Sequence, residues 1–305
     1  MPTIQQLRYV AEIATCGSVS RAAECLLVAQ PSISAAIKDL ESELGLTIFH
    51  RTNRGMVLSS EGTEFLGYAR QVLEQVDLLE SRFSGEGPRR RELSVSTQHY
   101  AFSVNAFVDL LKDYEGDSYE FTLRETRTHD IIEDVRHLRS EVGVLYLSDF
   151  NEAVMRKLFK ENDLEFTELF TARPHVFVSR THPLAERPSI TPEELEPYPC
   201  LSFEQGTNNS FHFSEEILST AYHAKSIRVS DRATIFNLII GLHGYTISTG
   251  VLSEDLNGDG IVSVPLDVPE RIRVGYIVRR QTMLSRLAKQ YLEKLDAYLA
   301  SYGLK

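Results

Sequence analysis

The chain has 305 residues and a formal net charge of −11, with 42% hydrophobic and 25% charged residues. That is the composition of a globular protein with room for one small and one larger domain, and its acidic balance excludes a protein that coats nucleic acid by bulk attraction. No apolar run approaches the ~20 residues that cross a bilayer. The opening stretch, with Arg8 and Glu12 inside its apolar pattern, does not read as a secretion signal. A cytoplasmic location and no membrane partner are expected.

Residues 1–58 carry five bases (Arg8, Arg21, Lys38, Arg51, Arg54) and five acids, so residues 59–305 hold the whole −11. Any contact with DNA must then rest on individually placed side chains and on dimerisation. Cys16, Cys25 and Cys200 form no C-x-x-C pair and no His/Cys metal spacing. Free, mostly buried thiols are expected, with no metal and no cofactor.

Ile4, Leu7, Val10, Ala11 and Ala14 follow helical spacing, and Gly17 ends that helix. Ser18 can cap a second helix from Val19 to about Leu26, whose Ala22 and Ala23 permit close approach of a neighbour. After the turn VAQPS, Pro31 suits the first turn of a third helix. That helix runs to Leu44 with Ile33, Ile37, Leu40 and Leu44 on its core face, and Gly45 stops it. Two short helices joined by a tight turn form the helix-turn-helix pattern. Gln30, Pro31, Ser32, Ser34 and Lys38 would face DNA, Gln30 being able to pair with adenine. Two β-prone stretches around residues 51–55 read as a wing that lays Arg51 and Arg54 along the phosphates or in the minor groove.

The run S-x3-AA-x2-L-x3-QP-x2-S-x2-I-x2-LE-x2-LG-x2-IF-x-R-x2-R-x3-L-x3-G, from Ser18 to Gly62, resembles the N-terminal signature of the LysR family of transcriptional regulators. An ordinary three-helix core would account for Leu40, Leu44, Phe49 and Leu58, but gives no reason for Gln30, Pro31, Arg51 and Arg54 to occur together. One position departs from the family pattern. Ala35 stands where an Arg that reads a base or phosphate is frequent.

From Glu61 to Phe83 there is no proline. Phe65, Ala69, Val72, Val76, Leu79 and Phe83 recur at spacings of 4, 3, 4, 3 and 4. This is a heptad seam, expected to pair with a second chain. Packing on its own domain is the alternative. Gly85, Gly87 and Pro88 break the helix ahead of a basic hinge, Arg89–Arg91.

Beyond the hinge, strand patterns at 93–97, 121–126, 142–146, 164–170, 175–179, 226–230, 245–249 and 271–278 alternate with helical ones at 101–114, 129–138, 213–222 and 232–242. Alternation of this kind predicts an α/β architecture with mostly parallel sheets. The expected domains are a winged helix-turn-helix over 1–58, a linker helix and hinge over 59–87, and an effector-binding domain over 88–305. The family resemblance implies that this last domain is like a periplasmic binding protein. Two Rossmann-like subdomains would be joined by crossover strands, the first formed by about 92–163 and 268–305, the second by 164–267.

A ligand in such a fold sits between the subdomains at the C-terminal ends of strands. The segment Ser96, Thr97, Gln98, His99 and Tyr100 lies at a strand-to-helix junction suited to an anion. Ser202, Glu204, Gln205 and Thr207 form a second candidate segment and Thr249 a third, with Tyr146 and Arg124 as additions. The Thr97-Gln98 region also resembles the LysR branch that controls sulfur and cysteine metabolism. That implies a small anionic or zwitterionic effector such as O-acetylserine or sulfate.

Two other functions would leave different marks. An α/β enzyme should show a G-x-S-x-G elbow, a P-loop, a G-x-G-x-x-G turn or clustered metal ligands, and none is present. A solute-binding protein would lack the N-terminal signature. The expected partners are promoter DNA, a small-molecule effector, a second copy of the chain (family members are commonly tetramers) and RNA polymerase.

Overall fold

The computed structural model describes residues 1–52, 55–83, 91–116, 118–252 and 258–304. Two compact units divide the chain, Met1–Arg89 and Arg90–Lys305.

In the first unit, α1 (Ile4–Cys16), α2 (Val19–Cys25) and α3 (Gln30–Leu44) are followed by a hairpin of β1 (Phe49–Thr52) and β2 (Gly55–Leu58), then by α4 (Ser60–Phe83). Thr3 and Gln6 form a reciprocal capping box on α1, and Gly17 and Gly45 end α1 and α3 in the left-handed conformation. The three helices bury Val10, Ile13, Ala22, Ala23, Ile33, Ile37 and Leu40 in one core. Two residues of the signature have a purely structural reason. The Glu41 carboxylate accepts from the backbone N–H of Ile48 (2.6 Å) and Phe49 (3.0 Å), joining the end of α3 to the wing. Gly62 lies where α4 meets the strand entry, so close that a Cβ there would sit 2.1 Å from the Ile48 carbonyl oxygen.

Gly62→Ala is therefore expected to destabilise the first unit. Alanine is worth about 1 kcal/mol over glycine in a helix. Forcing a methyl against backbone costs typically ~1–3 kcal/mol and sometimes more, so the clash prevails. Equal urea midpoints for the two proteins would show that the helix does not approach the strand this closely.

The expected heptad seam is divided in the structure. Ala69 is only 2% exposed, while Val72 is 46% and Leu79 61% exposed. One stripe of α4, with Phe65, Leu66, Ala69, Leu73 and Val76, turns inward, and α4 packs on α1. A second stripe beside it, with Tyr68 (64% exposed), Val72 and Leu79, stays uncovered. The 3.6-residue turn places these stripes side by side, and a heptad count merges them. The side chain of Phe83 lies outside the described residues.

The second unit contains two sheets of the same topology. The first has the order β4 (Tyr119–Glu125), β3 (Arg91–Thr97), β5 (Val142–Leu147), β12 (Ile272–Arg279), β6 (Leu164–Ala172). Strands β4, β3 and β5 run parallel, and β12 is antiparallel to β5 and β6. In the second, β8 (Cys200–Phe203) and β9 (Ser226–Val229) are parallel, and β7 (His175–Ser179) lies antiparallel between β10 (Thr246–Ser248) and β11 (Ile261–Pro265). A parallel bridge from Cys200 to Tyr245 joins the two groups, which yields the order β9-β8-β10-β7-β11. The sheets are thus mixed, not mostly parallel. Strands β7 and β12 each return across their sheet from the other subdomain, and a returning strand enters antiparallel. Because β6 belongs to the first sheet, the first subdomain reaches residue 172, beyond the expected 163. The two crossovers run side by side, with Leu266 N–H donating to Pro174 O at 2.9 Å.

Every residue of β5 is buried, because helices cover both faces. On one face lie α6 (Thr128–Arg136) and α7 (Glu152–Glu161), on the other α5 (Ala101–Lys112) and the C-terminal α10 (Arg286–Ser301), which lays Leu287, Ala288, Tyr291, Leu295 and Leu299 into the core. In the second subdomain, α9 (Arg232–Leu242) packs Ile235 and Ile239 onto Phe177, Leu201 and Val229. A four-residue helix, α8 (Pro192–Leu195), completes the set. The helix expected over 213–222 is not formed. A short 3-10 turn, Phe211–Phe213, leads into turns, and Leu218 adopts φ +58. Two carboxylates of that segment, Glu215 and Glu216, turn into the protein interior.

Candidate functional site

The first candidate surface is the outer face of α3. Gln30, Pro31, Ser32, Ser34, Ala35 and Lys38 are all exposed, while Ile33, Ile37 and Leu40 point inward. No side chain caps α3, since its N-cap is Ala29; Pro31 has no N–H, and Ser32 N–H donates to the Ala29 carbonyl at 3.0 Å. Arg51 is exposed on β1. Arg54 lies outside the described residues. Pattern and structure agree on which face of α3 is exposed, because one helical face must be apolar and its opposite then lies outward.

The second is the cleft between the two sheets. It begins at the β3–α5 junction. Ser96 faces away from the cleft, its hydroxyl donating to Asp134 Oδ2 (2.7 Å) and bonding Ser140 Oγ (2.8 Å). Arg124 reaches Ser140 Oγ and the Arg139 carbonyl on the same side. Thr97 Oγ1 donates to the Gln98 carbonyl at 2.8 Å. Gln98 is fully buried, with both ends of its amide engaged. Its Oε1 accepts from Tyr146 N–H (3.0 Å) and the Tyr100 hydroxyl (3.1 Å), and its Nε2 donates to Thr128 Oγ1 (2.6 Å). Burial pushes both phenols, Tyr100 and Tyr146, up.

From there the network crosses to the second subdomain. Thr128 N–H donates to Gln205 Oε1 (3.1 Å), and Gln205 Nε2 donates to Glu215 Oε1 (3.2 Å). Glu215 accepts from His99 N–H (2.9 Å) and lies 2.9–3.0 Å from His99 Nδ1. The His99 ring stacks on Phe203 at 3.9 Å between centroids. Arg127 pairs with Glu204, and Arg232 Nε with Glu125 Oε1 at 3.1 Å. Glu216 is buried beside Glu215, accepting from Phe203 N–H (3.0 Å) and the Ser214 hydroxyl (3.1 Å).

Electrostatics in the cleft follow from this. Burial, and next the charge of Glu215, push the Glu216 carboxyl up to about 8. For His99, burial pulls down, but the Glu215 hydrogen bond and charge together outweigh it, and the imidazole titrates above its usual value. A cavity opens beside these groups. Its wall carries His99, Glu215, Glu216 and Arg232 among apolar Phe177, Ile235, Phe236 and Leu252.

The structure thus brings the 96–100 and 202–207 segments to one cleft, yet redistributes their roles. Ser96, Thr97 and Gln98 are structural. Thr207 is exposed, and Thr249 is buried with its hydroxyl near the Val251 N–H. Ser202 and Gln205 line a neighbouring hollow of about 270 Å³. The anion expected at residues 97–98 would meet the Glu215 and Glu216 carboxylates, and Asp231 already caps the N-terminus of α9 by accepting from Thr234 N–H. Sequence reasoning missed Arg127, Thr128, Glu215, Glu216 and Arg232. An adjacent Glu pair reads as a solvated helix face until a fold turns it inward.

Residues 4–63 match the family model of the bacterial regulatory helix-turn-helix protein, lysR family, and residues 87–300 that of the LysR substrate binding domain. The chain is 26% identical over 300 residues to the HTH-type transcriptional regulator SoxR of Arthrobacter sp., covering 96% of each. It is 24% identical over 285 residues to the hydrogen peroxide-inducible genes activator of Haemophilus influenzae, covering 91% of this chain and 90% of that one. Among solved structures, a mutant of OxyR from Corynebacterium glutamicum shares the fold at TM-score 0.56 and 21% identity, covering all of this chain and 98% of that one. Among the described residues no helix is long and apolar enough to cross a membrane.

Proposed function

Since the chain belongs to the LysR family of bacterial helix-turn-helix regulators, we propose that its cleft binds a small effector bearing a protonated amine and an apolar body. The protein is a DNA-binding transcriptional regulator with an effector-binding domain, and its relatives are regulators, not enzymes. The observation that carries the effector class is the pair of adjacent buried carboxylates, Glu215 and Glu216, in the cavity wall. An amine would favour the ionised form of Glu216 beside Glu215, and Phe177, Ile235 and Phe236 suit an apolar body. The zwitterionic class survives within this reading, with Arg232 as partner for a carboxylate. A purely anionic ligand such as sulfate does not fit. Of the residues expected from the sequence, Tyr100 lines this cavity. Ser202, Glu204, Gln205, Thr207 and Thr249 shape its surroundings, and Tyr146 orients Gln98.

Sensing of peroxide through a disulfide within the effector unit is not part of this proposal. Cys200 is its sole cysteine, and burial pushes that thiol up to about 11.

Gln30, Pro31, Ser32, Ser34 and Lys38 with Arg51 and Arg54 read promoter DNA. Two copies pair through α4, and regulation passes to RNA polymerase from the DNA-bound oligomer. Ligand binding shifts the assembly only by its difference in affinity for two arrangements. Gln30→Ala should weaken operator binding by roughly 1–3 kcal/mol and relax base preference at one position. Lys38→Ala should weaken all sequences alike and flatten the salt dependence. Unchanged operator affinity for Gln30→Ala in a gel-shift titration would remove α3 as the reading helix. A thermal-shift screen of metabolites tests the effector: amines and amino acids should raise the melting temperature, and this gain should vanish in Glu215→Gln. Stabilisation by simple carboxylates or sulfate alone would reverse the assignment.

A further inference from the structure

The helix-turn-helix unit contains a cluster that the DNA-binding role does not use. Cys16, at the C-terminal end of α1, and Cys25, at the C-terminal end of α2, are nine residues apart in sequence. Their sulfurs lie 3.9 Å apart, and Cys16 Sγ lies 3.1 Å from Glu12 Oε1. The three ligand atoms fall within 4.8 Å of one another. Cys25 is exposed and Cys16 half-buried, so the group opens to solvent.

These distances can be compared with what bonded states require. Two thiolates on a tetrahedral zinc ion, each about 2.3 Å from the metal, stand about 3.8 Å apart. A carboxylate oxygen on the same ion stands about 3.5 Å from each sulfur, given a Zn–O bond of about 2.0–2.2 Å. A disulfide needs the sulfurs at about 2.05 Å, so the pair would have to close by about 1.9 Å between two packed helices. The sulfur–sulfur distance is already near the metal-bound one, and a Glu12 carboxylate oxygen lies within 4.8 Å of both sulfurs. Soft thiolates select ions of the zinc type over magnesium or calcium.

We propose that Glu12, Cys16 and Cys25 form a binding site for a thiophilic divalent ion of the zinc type, which clamps the end of α1 to the end of α2. Three protein ligands leave the fourth position to a solvent molecule. Binding exchanges two S–H protons for two S–metal bonds, with both protons released to solvent. The clamp sits just before the turn that leads into α3, so the ion would hold the helix pair that supports the reading helix.

The test uses the full-length protein, reduced and desalted without oxygen, with cobalt(II) as the spectroscopic probe and zinc(II) as competitor. One equivalent of cobalt should raise a thiolate-to-cobalt charge-transfer band and tetrahedral d–d bands, both abolished by zinc. Cys25→Ser and Cys16→Ser should lose the charge-transfer band, and Cys200→Ser should keep it. Zinc affinity, read by competition with a chromophoric chelator, should fall at least ~100-fold in Cys25→Ser, more than the ~10–100-fold that loss of an outer-shell partner costs. Glu12→Gln should weaken it by a smaller factor. Cys25 is exposed, so its serine variant keeps the fold, and an unchanged helical circular dichroism spectrum verifies this. Absence of the band in the reduced wild type, or its survival in Cys25→Ser, overturns the proposal. So does a Cys16–Cys25 disulfide in air-exposed protein whose reduced form takes up no metal, which would assign the pair to redox chemistry.

Discussion

Glu216→Gln should match the wild type in stability near pH 4.5, exceed it increasingly up to about pH 8, and keep a constant advantage above that. The Glu216 carboxyl titrates at about 8 in the folded chain, against 4.5 ordinarily, because it is buried and lies beside Glu215. A raised folded value means that the native state holds a proton the unfolded state has lost. The associated stability is complete below pH 4.5, declines between 4.5 and 8, and is gone above 8. Over that window the loss amounts to something on the order of 5 kcal/mol. His99 acts in the same direction at higher pH, since its folded value is also raised. Glutamine keeps an oxygen to accept from Phe203 N–H and carries no charge, so the slope due to residue 216 disappears. Urea denaturation of both proteins from pH 4.5 to 9 gives the difference. A difference that stays constant with pH would mean that Glu216 is ionised throughout.

Introducing a carboxylate on the uncovered stripe of α4 should separate the oligomer. Tyr68, Val72 and Leu79 project from one side of α4 at 64%, 46% and 61% exposure in the single chain. Val72→Glu and Leu79→Glu therefore leave the monomer fold unharmed. Between two copies they would bury an unpaired charge, which costs far more than a typical contact contributes. The expected result is a monomer by light scattering with unchanged circular dichroism, and operator affinity reduced by orders of magnitude because one half-site replaces two. Ala69→Glu provides the contrast. That residue is 2% exposed within its own unit, so the change should unfold the first unit. An oligomer that persists in Leu79→Glu would place the interface on another surface.

Both results bear on how much of this protein can be read along the chain. The helix-turn-helix was legible because its determinants are local. Gly17 and Gly45 end helices through backbone freedom, Pro31 starts one, and a 3.6-residue apolar pattern leaves Gln30, Ser34 and Lys38 outward. Strands such as His175–Ser179 and helix Arg232–Leu242 follow from short-range pattern in the same way. The two stripes of α4 were not separable, because residues three and four apart share a helical face whichever neighbour they meet.

The cleft belongs to the tertiary structure. Gln98 was rightly placed at a junction, but only the packing of β3 against β5 and α6 shows that its amide is turned to Thr128, Tyr146 and Tyr100. Glu215 and Glu216 sit in a stretch with helical periodicity, yet they turn inward to accept from His99 and Phe203, residues 116 and 13 positions away. Cys16 and Cys25 show no metal spacing, and the packing of α2 on α1 brings their sulfurs to 3.9 Å. Caps, turns and helical faces arise from interactions within a few residues, which the sequence by itself determines. The charge of a cleft and the meeting of distant ligands depend on which surfaces pack together, and that is decided only when the whole core closes.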